Sequence, residues 1–257
     1  MGTPANLEPF KIDTGDAEPI KVPGRPYSPL DLEKIKDFID ENIANGIIKE
    51  SEAPWSAPLV LATKADGTTR VCVDYRALNR VTKKDAYPLP RMDESFQKFH
   101  GARFFTILDL KSGYWQIPLD LSTRAKTAFS TRYGHFEWLV LPFGVSNGPG
   151  GFQKRMNKLL LKFIDKFVIV YMDDILIFSK NLHEHVGHVR QVLLALADAN
   201  MILNMEKCKL FQTETRFLGH ILSLSALIPQ TASSRIIVMC ELLLTLQDER
   251  KATNLAP

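Results

Sequence analysis

Two adjacent aspartates, Asp173 and Asp174, break an otherwise apolar, β-branched run, FVIVYMDDILIF, over residues 167–178. Each half reads as a short buried strand, so the acidic pair falls at the tight turn of a hairpin. Two carboxylates there repel each other and resist joint desolvation, which is costly unless a cation sits between them. Ordinary turn chemistry accounts for an isolated Asp-Asp pair about equally well. A second segment tips the balance. FFTILDLKSGYWQ, residues 104–116, is another apolar strand, and it delivers Asp109 at its end. If the two strands are neighbours in one sheet, three carboxylates converge. Such a cluster can hold two divalent ions about 3.5–4 Å apart, which stabilises both the attacking and leaving oxygens of an in-line phosphoryl displacement.

The elements that must position these acids read as a mixed α/β pattern without internal repeats. The first twenty residues, with Pro4, Pro9, Gly15 and Pro19, form an extended lead-in. Ser28 is an N-cap, Pro29 follows it, and Asp31 completes an S-x-x-D box ahead of the apolar stripe Ile35, Phe38, Ile39 and Ile43. Gly46 ends that helix. Strands are predicted at 59–63 and 71–75, joined through Asp66-Gly67, then at the Asp109 segment, near 127–131 and at 136–141. A helix is predicted over 152–163. Leu182, Val186, Val189, Leu193 and Leu196 predict another, whose His183, His185 and His188 fall on a solvated polar surface without function. Residues 217–222 read as a last short strand. Strands mixed with helices imply an α+β fold with helices packed on one face of an antiparallel sheet.

At 257 residues, 45% hydrophobic and 24% charged, the chain can bury a sizeable core. Its net charge of +3 is only mildly basic, so nucleic-acid contact must rest on local clusters. Cys72, Cys208 and Cys240 show no C-x-x-C spacing, so neither a disulfide framework nor a zinc site is implied and a reducing, intracellular compartment fits. No signal peptide is expected, and the longest apolar runs are too short or too charged to span a bilayer.

Six segments, taken in order, resemble the reverse transcriptases of gypsy-class LTR retrotransposons from about Ile20 to Leu222. They are RVCVDYRALNRVTKKDAYPLPR from Arg70, FTILDLKSGYWQI from Phe105, LPFGVSN from Leu141, YMDDILIFSK from Tyr171, LNMEKCKLF from Leu203 and FLGHIL from Phe217. The resemblance implies a right-hand polymerase, α+β, with fingers and an antiparallel palm sheet packed on helices, the thumb absent or truncated. It divides the chain into a lead-in (1–24), fingers and palm (25–222) and a divergent tail (223–257) without recognisable thumb or RNase H. Fingers lie mainly in 25–90 and 120–150, palm mainly in 91–119 and 151–222. The implied activity is RNA-directed DNA polymerisation, extending a primer 3′-hydroxyl with deoxynucleoside triphosphates by a two-metal mechanism, in a truncated polyprotein fragment. The alternative is a catalytically inactive, nucleic-acid-binding remnant. A different two-metal nucleotidyltransferase or phosphatase would share the acids but not the Arg70 to Arg91 block or LPFG.

The same resemblance implies two Mg2+ ions, with Mn2+ as a substitute, on Asp109, Asp173 and Asp174, with Leu110 beside them. The first two aspartates would bridge the metals and the last would contribute less directly. Lys64 and Arg70 would reach the triphosphate, and Tyr114 would lie under the incoming sugar and exclude a 2′-hydroxyl. Phe143 and Gly144 would pack beneath the nascent base pair and template. Lys207, with Lys209 as its rival, would protonate the pyrophosphate. Phe217, Leu218 and Gly219 would grip the primer end, and Arg76, Arg80, Lys83 and Lys84 would track template phosphates. The implied partners are an RNA or DNA template with primer, the nucleotides, and RNase H, integrase and protease domains of a parent polyprotein; no membrane is implied, and cytoplasmic particles are. At Gly148-Pro149-Gly150-Gly151 the chain departs from the family, which carries helix-compatible residues such as alanine. Each helical glycine costs about 1 kcal/mol, so this helix is expected to fray or begin later, disturbing template placement.

Overall fold

A computed structural model of the chain describes residues 4–63, 67, 69–88, 90, 99, 101–218 and 220–223. Helix α1, Pro29–Ala44, begins as its sequence dictates. The Asp31 amide donates to Ser28 Oγ at 3.2 Å, the Ser28 hydroxyl donates to the Asp31 carboxylate at 2.8 Å, and Pro29 supplies a pre-set φ. Gly46, at φ +65°, turns the chain out of the helix. After β1 (Ile48–Glu50) come the β2 (Leu59–Thr63) and β3 (Thr69–Val73) hairpin, α2 (Arg76–Val81), β4 (Phe104–Asp109), α3 (Leu121–Arg124), β5 (Phe129–Thr131) and β6 (Gly134–Trp138). The second half runs α4 (Gly148–Leu159), β7 (Val168–Tyr171), β8 (Asp174–Ser179), α5 (Leu182–Asp198), β9 (Lys209–Gln212), β10 (Glu214–Phe217) and β11 (His220–Ser223). Residues 217–222, read as one strand, instead fold as the β10–β11 hairpin, turning at Leu218 with φ +48°.

Four strands in the order β7-β8-β4-β9, all antiparallel, form the central sheet. Alternation along β4 and β8 splits their side chains between two faces. On one face Phe105 opposes Phe178, Ile107 opposes Leu176 and Asp109 opposes Asp174. The apolar members of that row join Ala102, Ile169, Phe217 and Leu222 in one buried cluster, so the β10–β11 hairpin covers the far end of this face and leaves the aspartate end. The other face carries Thr106, Leu108, Ile175 and Ile177 and packs against α5, with α4 against β7. With both faces largely buried, β7 and β8 read as near-continuous apolar runs. Separately, β1, β6 and β5 form a small antiparallel sheet, and Phe38 of α1 packs against Trp138 of β6 at 6.2 Å between ring centroids.

Two expectations are corrected by tertiary packing. The buried face of α5 is His185, Val189, Val192, Leu193 and Leu196, while Val186 is 38% exposed. His185 is fully buried, not solvated: Nε2 pairs with Thr106 Oγ1 and Nδ1 with Ser179 Oγ, both at 2.8 Å. Burial holds the His185 imidazole neutral, with its pKa lowered to about 4. His188 is half-buried, stacked on Phe167 at 3.7 Å.

The glycine run is the second correction. Helix α4 forms through it from Gly148, with Pro149 in its first turn. A Cβ on Gly151 would overlap the ring of Phe10, and one on Gly148 would stand 3.3 Å from Tyr114. The lead-in is extended as expected, but it is a strap fixed to the body of the fold. Phe10 bonds through its amide to Pro118 O and through its carbonyl to Asp120 N, and Arg155 donates to Glu8 O and Pro9 O while standing over the Phe10 ring. Gly151→Ala is therefore expected to lower unfolding stability by about 1–3 kcal/mol despite alanine's helix propensity. Gly150→Ala, whose Cβ would make ordinary contact 3.5 Å from Tyr87 O, is expected to be neutral or mildly stabilising. Denaturant titration checks both; an unchanged stability in Gly151→Ala would refute the close packing of Phe10 on Gly151.

Candidate active site

Asp109 is the last residue of β4 and Asp174 the first of β8, and the two are direct cross-strand partners on one sheet face. Their Cβ atoms are then about 5 Å apart, a spacing at which like charges destabilise a sheet. Tyr171 pairs with Asp174, so the turn is the two residues Met172 and Asp173, with Met172 at φ +53°. The Leu110 amide donates to Asp173 O at 3.4 Å, tying the turn to the end of β4. The leucine side chain itself is buried, so only its main chain can face a ligand. The Asp109 amide donates to Cys208 Sγ at 3.4 Å.

Asp173 Oδ1 is buried and has no hydrogen-bond partner. It lies over Gly113, where a Cβ would come to 2.6 Å, so only glycine leaves room for it. Burial first, then Asp109 and Asp174, push the Asp173 carboxyl up to about 6, while Lys207 pulls it down. Burial and then Asp109 also raise Asp174, against Lys209 and Lys207. An orphaned carboxylate oxygen among like charges, with no partner in the protein, is chemistry that a hard divalent cation satisfies. Among the described residues no three His, Cys, Asp or Glu side chains already stand together as a metal cage.

Beside the acids, three rings stack in series. Tyr114 lies between Phe143 at 5.0 Å and Phe152 at 5.2 Å, with interplanar angles of 10° and 26°. Arg70 caps the outer face of Phe143 at 4.4 Å, a cation–π geometry. Burial and then Asp173 raise the Tyr114 phenol well above its ordinary value. Arg70, Phe143 and Lys207 line one cleft of about 650 Å³ with Lys34, Ser112 and Trp115. Lys34 and Trp115 were not anticipated; Lys34 comes from α1 and donates to Thr69 Oγ1 at 2.9 Å.

The remaining candidates are more dispersed. Arg76 engages Asp74 through Nε and Nη2, at 2.6 Å for the shortest contact, and so holds the Asp74 carboxyl below the usual range. Lys83 pairs with Asp13 at 3.3 Å and Lys84 donates to Asn79 O, while Arg80 is exposed. Gly144, at φ +91°, is exposed and its carbonyl accepts from Asn79 Nδ2. Phe217 is 2% exposed inside the apolar cluster and Leu218 packs against it, so the ring expected to grip the primer end is part of the core instead. Lys64 and Gly219 lie outside the described residues.

The fold is that of the fingers and palm of right-hand polymerases. The family model described as reverse transcriptase (RNA-dependent DNA polymerase) matches residues 62–222, and the chain belongs to that family. It is 38% identical over 232 residues to the retrovirus-related Pol polyprotein from transposon 297 of Drosophila melanogaster, covering 88% of this chain and 22% of that protein. It is 40% identical over 198 residues to the transposon Tf2-3 polyprotein of Schizosaccharomyces pombe, covering 77% of this chain and 15% of that protein. The chain thus spans about a fifth or less of these relatives. Among solved structures, the prototype foamy virus protease-reverse transcriptase superposes with a TM-score of 0.75 at 26% identity, covering 86% of this chain and 30% of that one. The foamy viral enzyme in complex with an RNA/DNA hybrid has the same fold, with a TM-score of 0.75 at 24% identity over 85% of this chain and 29% of that one.

Proposed function

We propose that this chain is the fingers and palm of an RNA-directed DNA polymerase that extends a primer 3′-hydroxyl with deoxynucleoside triphosphates. The observation that carries the reading is the carboxylate end of the central sheet: Asp109 opposite Asp174, with the orphaned Asp173 oxygen beside them. Reverse transcriptases as a family use divalent metals, and Asp109, Asp173 and Asp174, with the Leu110 main chain, would hold two Mg2+ or Mn2+ ions. Such ions, when bound, activate the primer hydroxyl and neutralise the charge developing on pyrophosphate. The protein's own part is to hold the acids together on the face that α4 and α5 leave free. Lys207, which lines the cleft and whose charge acts on Asp173 and Asp174, would supply positive charge and a proton to the leaving group, with Lys209, whose charge also acts on Asp174, as the rival donor.

Within this reading, Arg70 meets the triphosphate and Tyr114 sets sugar selectivity. Phe143 and Gly144 lie under the nascent pair, and the exposed Arg80 and Lys84 take template phosphates. An RNA or DNA template with its primer is the macromolecular partner, fingers and palm occupy 25–222, and the chain belongs to a larger retrotransposon polyprotein that works inside the cell. No described helix is long and apolar enough to cross a membrane. Because Arg70 both stacks on Phe143 and carries a forked guanidinium, Arg70→Lys is expected to raise the nucleotide KM roughly tenfold with a smaller change in kcat. Steady-state extension measures it, and an unchanged KM would remove Arg70 from the nucleotide site.

The inactive-remnant reading rests on the glycine run and on a thumb expected to be absent or truncated; α4 forms through that run. Extension of oligo(dT) on poly(rA) with Mg2+ or Mn2+ tests the polymerase directly. Metal-dependent extension is expected. Tight template-primer binding with no extension in either metal would overturn the polymerase reading in favour of the remnant.

A further inference from the structure

We propose that Gln153 is the positioning residue of the acidic turn. It sits on α4, fully buried, and its amide spans the mouth of the β7–β8 hairpin. Gln153 Oε1 accepts from the Met172 amide at 2.9 Å. Its Nε2 donates to Val170 O at 2.9 Å and to Asn157 Oδ1 at 2.8 Å, and Asn157 Nδ2 in turn donates to the Tyr87 hydroxyl at 2.9 Å. Both amide hydrogens and the oxygen are used, and the reversed amide would face oxygen to oxygen at Val170. Its orientation is therefore fixed by its partners.

The turn needs such a hold. Met172 occupies a left-handed position, φ +53°, where a two-residue hairpin ordinarily takes glycine or asparagine. Local preference alone does not specify this conformation, and a buried side chain bonded on both sides of Tyr171 does. Asp173 and Asp174 follow immediately, so the amide that fixes Met172 fixes where their carboxylates begin. The neighbouring Phe152 stacks on Tyr114. Consecutive residues of α4 thus back the carboxylate turn and the aromatic stack.

The inference rests on the carboxylate reading of Asp173 and Asp174, and its test separates the two. In the full chain, Gln153→Met keeps the length of the side chain and removes its hydrogen bonds. Three results are expected: faster hydrogen exchange at the Met172 amide by NMR, Mn2+ affinity without other ligands lowered roughly tenfold by electron paramagnetic resonance, and primer-extension kcat lowered roughly 100-fold with nucleotide KM within about twofold. A merely structural role would shift the melting temperature while the folded protein kept its Mn2+ affinity and kcat. Wild-type Met172 protection and wild-type Mn2+ affinity in Gln153→Met overturn the proposal. Gln153→Glu retains the oxygen that faces Met172 and decides the matter if Gln153→Met does not fold. Retained Met172 protection there supports the clamp, and protection lost alongside unchanged Mn2+ affinity overturns it. If the wild type extends no primer, the polymerase reading falls, while exchange and Mn2+ binding still decide the role of Gln153.

Discussion

Asp173→Asn is expected to slow primer extension by roughly a thousandfold or more, a loss of about 4 kcal/mol of barrier stabilisation. It should do so without disturbing the fold, because asparagine matches the aspartate shape and fits over Gly113. Stability should move the other way. The Asp173 carboxyl is held up near 6 by burial and by Asp109 and Asp174, above its value in an unfolded chain. Its contribution to stability is therefore complete below the unfolded pKa, near 4, and is lost as pH rises through about 6. At pH 7.5, with divalent ions chelated away, ionised Asp173 is a net cost that asparagine removes, so the variant should melt about 2–5 °C higher than wild type. The gap should close at pH 4. Added Mg2+ should stabilise the wild type more than the variant, since binding to the native state alone raises stability. Calorimetry at the two pH values and an extension assay measure these effects together. A variant that polymerises at the wild-type rate would remove Asp173 from the chemistry.

Tyr114→Val is expected to lower the preference for deoxy- over ribonucleotides roughly 100-fold, read as the ratio of kcat/KM for the two sugars. The ring is clamped between Phe143 and Phe152 and backed by Gly148, so it cannot swing aside to admit a 2′-hydroxyl. Removing it also empties the middle of a three-ring stack and should cost about 2–4 kcal/mol of stability. Tyr114→Phe preserves the stack and is the control, with selectivity expected to stay near wild type. Unchanged selectivity in Tyr114→Val, with the stability loss present, would make Tyr114 a packing residue only.

The acidic hairpin was legible because the signal is local: an apolar β-branched run that ends in aspartate carries a charge to the edge of a core, where a cation would offset its desolvation. Helix α1 was legible for a similar reason, since Ser28, Pro29 and Asp31 specify its start within four residues. The β10–β11 turn at Leu218 was a local miss, and the other failures are tertiary. The glycines at 148–151 look unfavourable by propensity, and only the packing of Phe10 and Tyr114, from distant segments, explains them. On α5, Leu182 and Val186 offer an apolar stripe as regular as the true one. What sets the helix phase is His185, a polar residue whose burial depends on Thr106 and Ser179. The Phe143, Tyr114 and Phe152 stack joins three separate motifs, so no single segment announced it. Gln153 carries no signal beyond its residue type, and its value lies in reaching the Val170 and Met172 main chain.

Joint chelation by Asp109 and Asp173 is tested most directly by Mn2+ anomalous scattering from crystals of the chain with a primer-template and a non-hydrolysable deoxynucleotide. Two peaks about 3.5–4 Å apart are expected, both in contact with Asp109 and Asp173. Ions that touch only one of these residues, or that lie on the α5 side of the sheet, would contradict it.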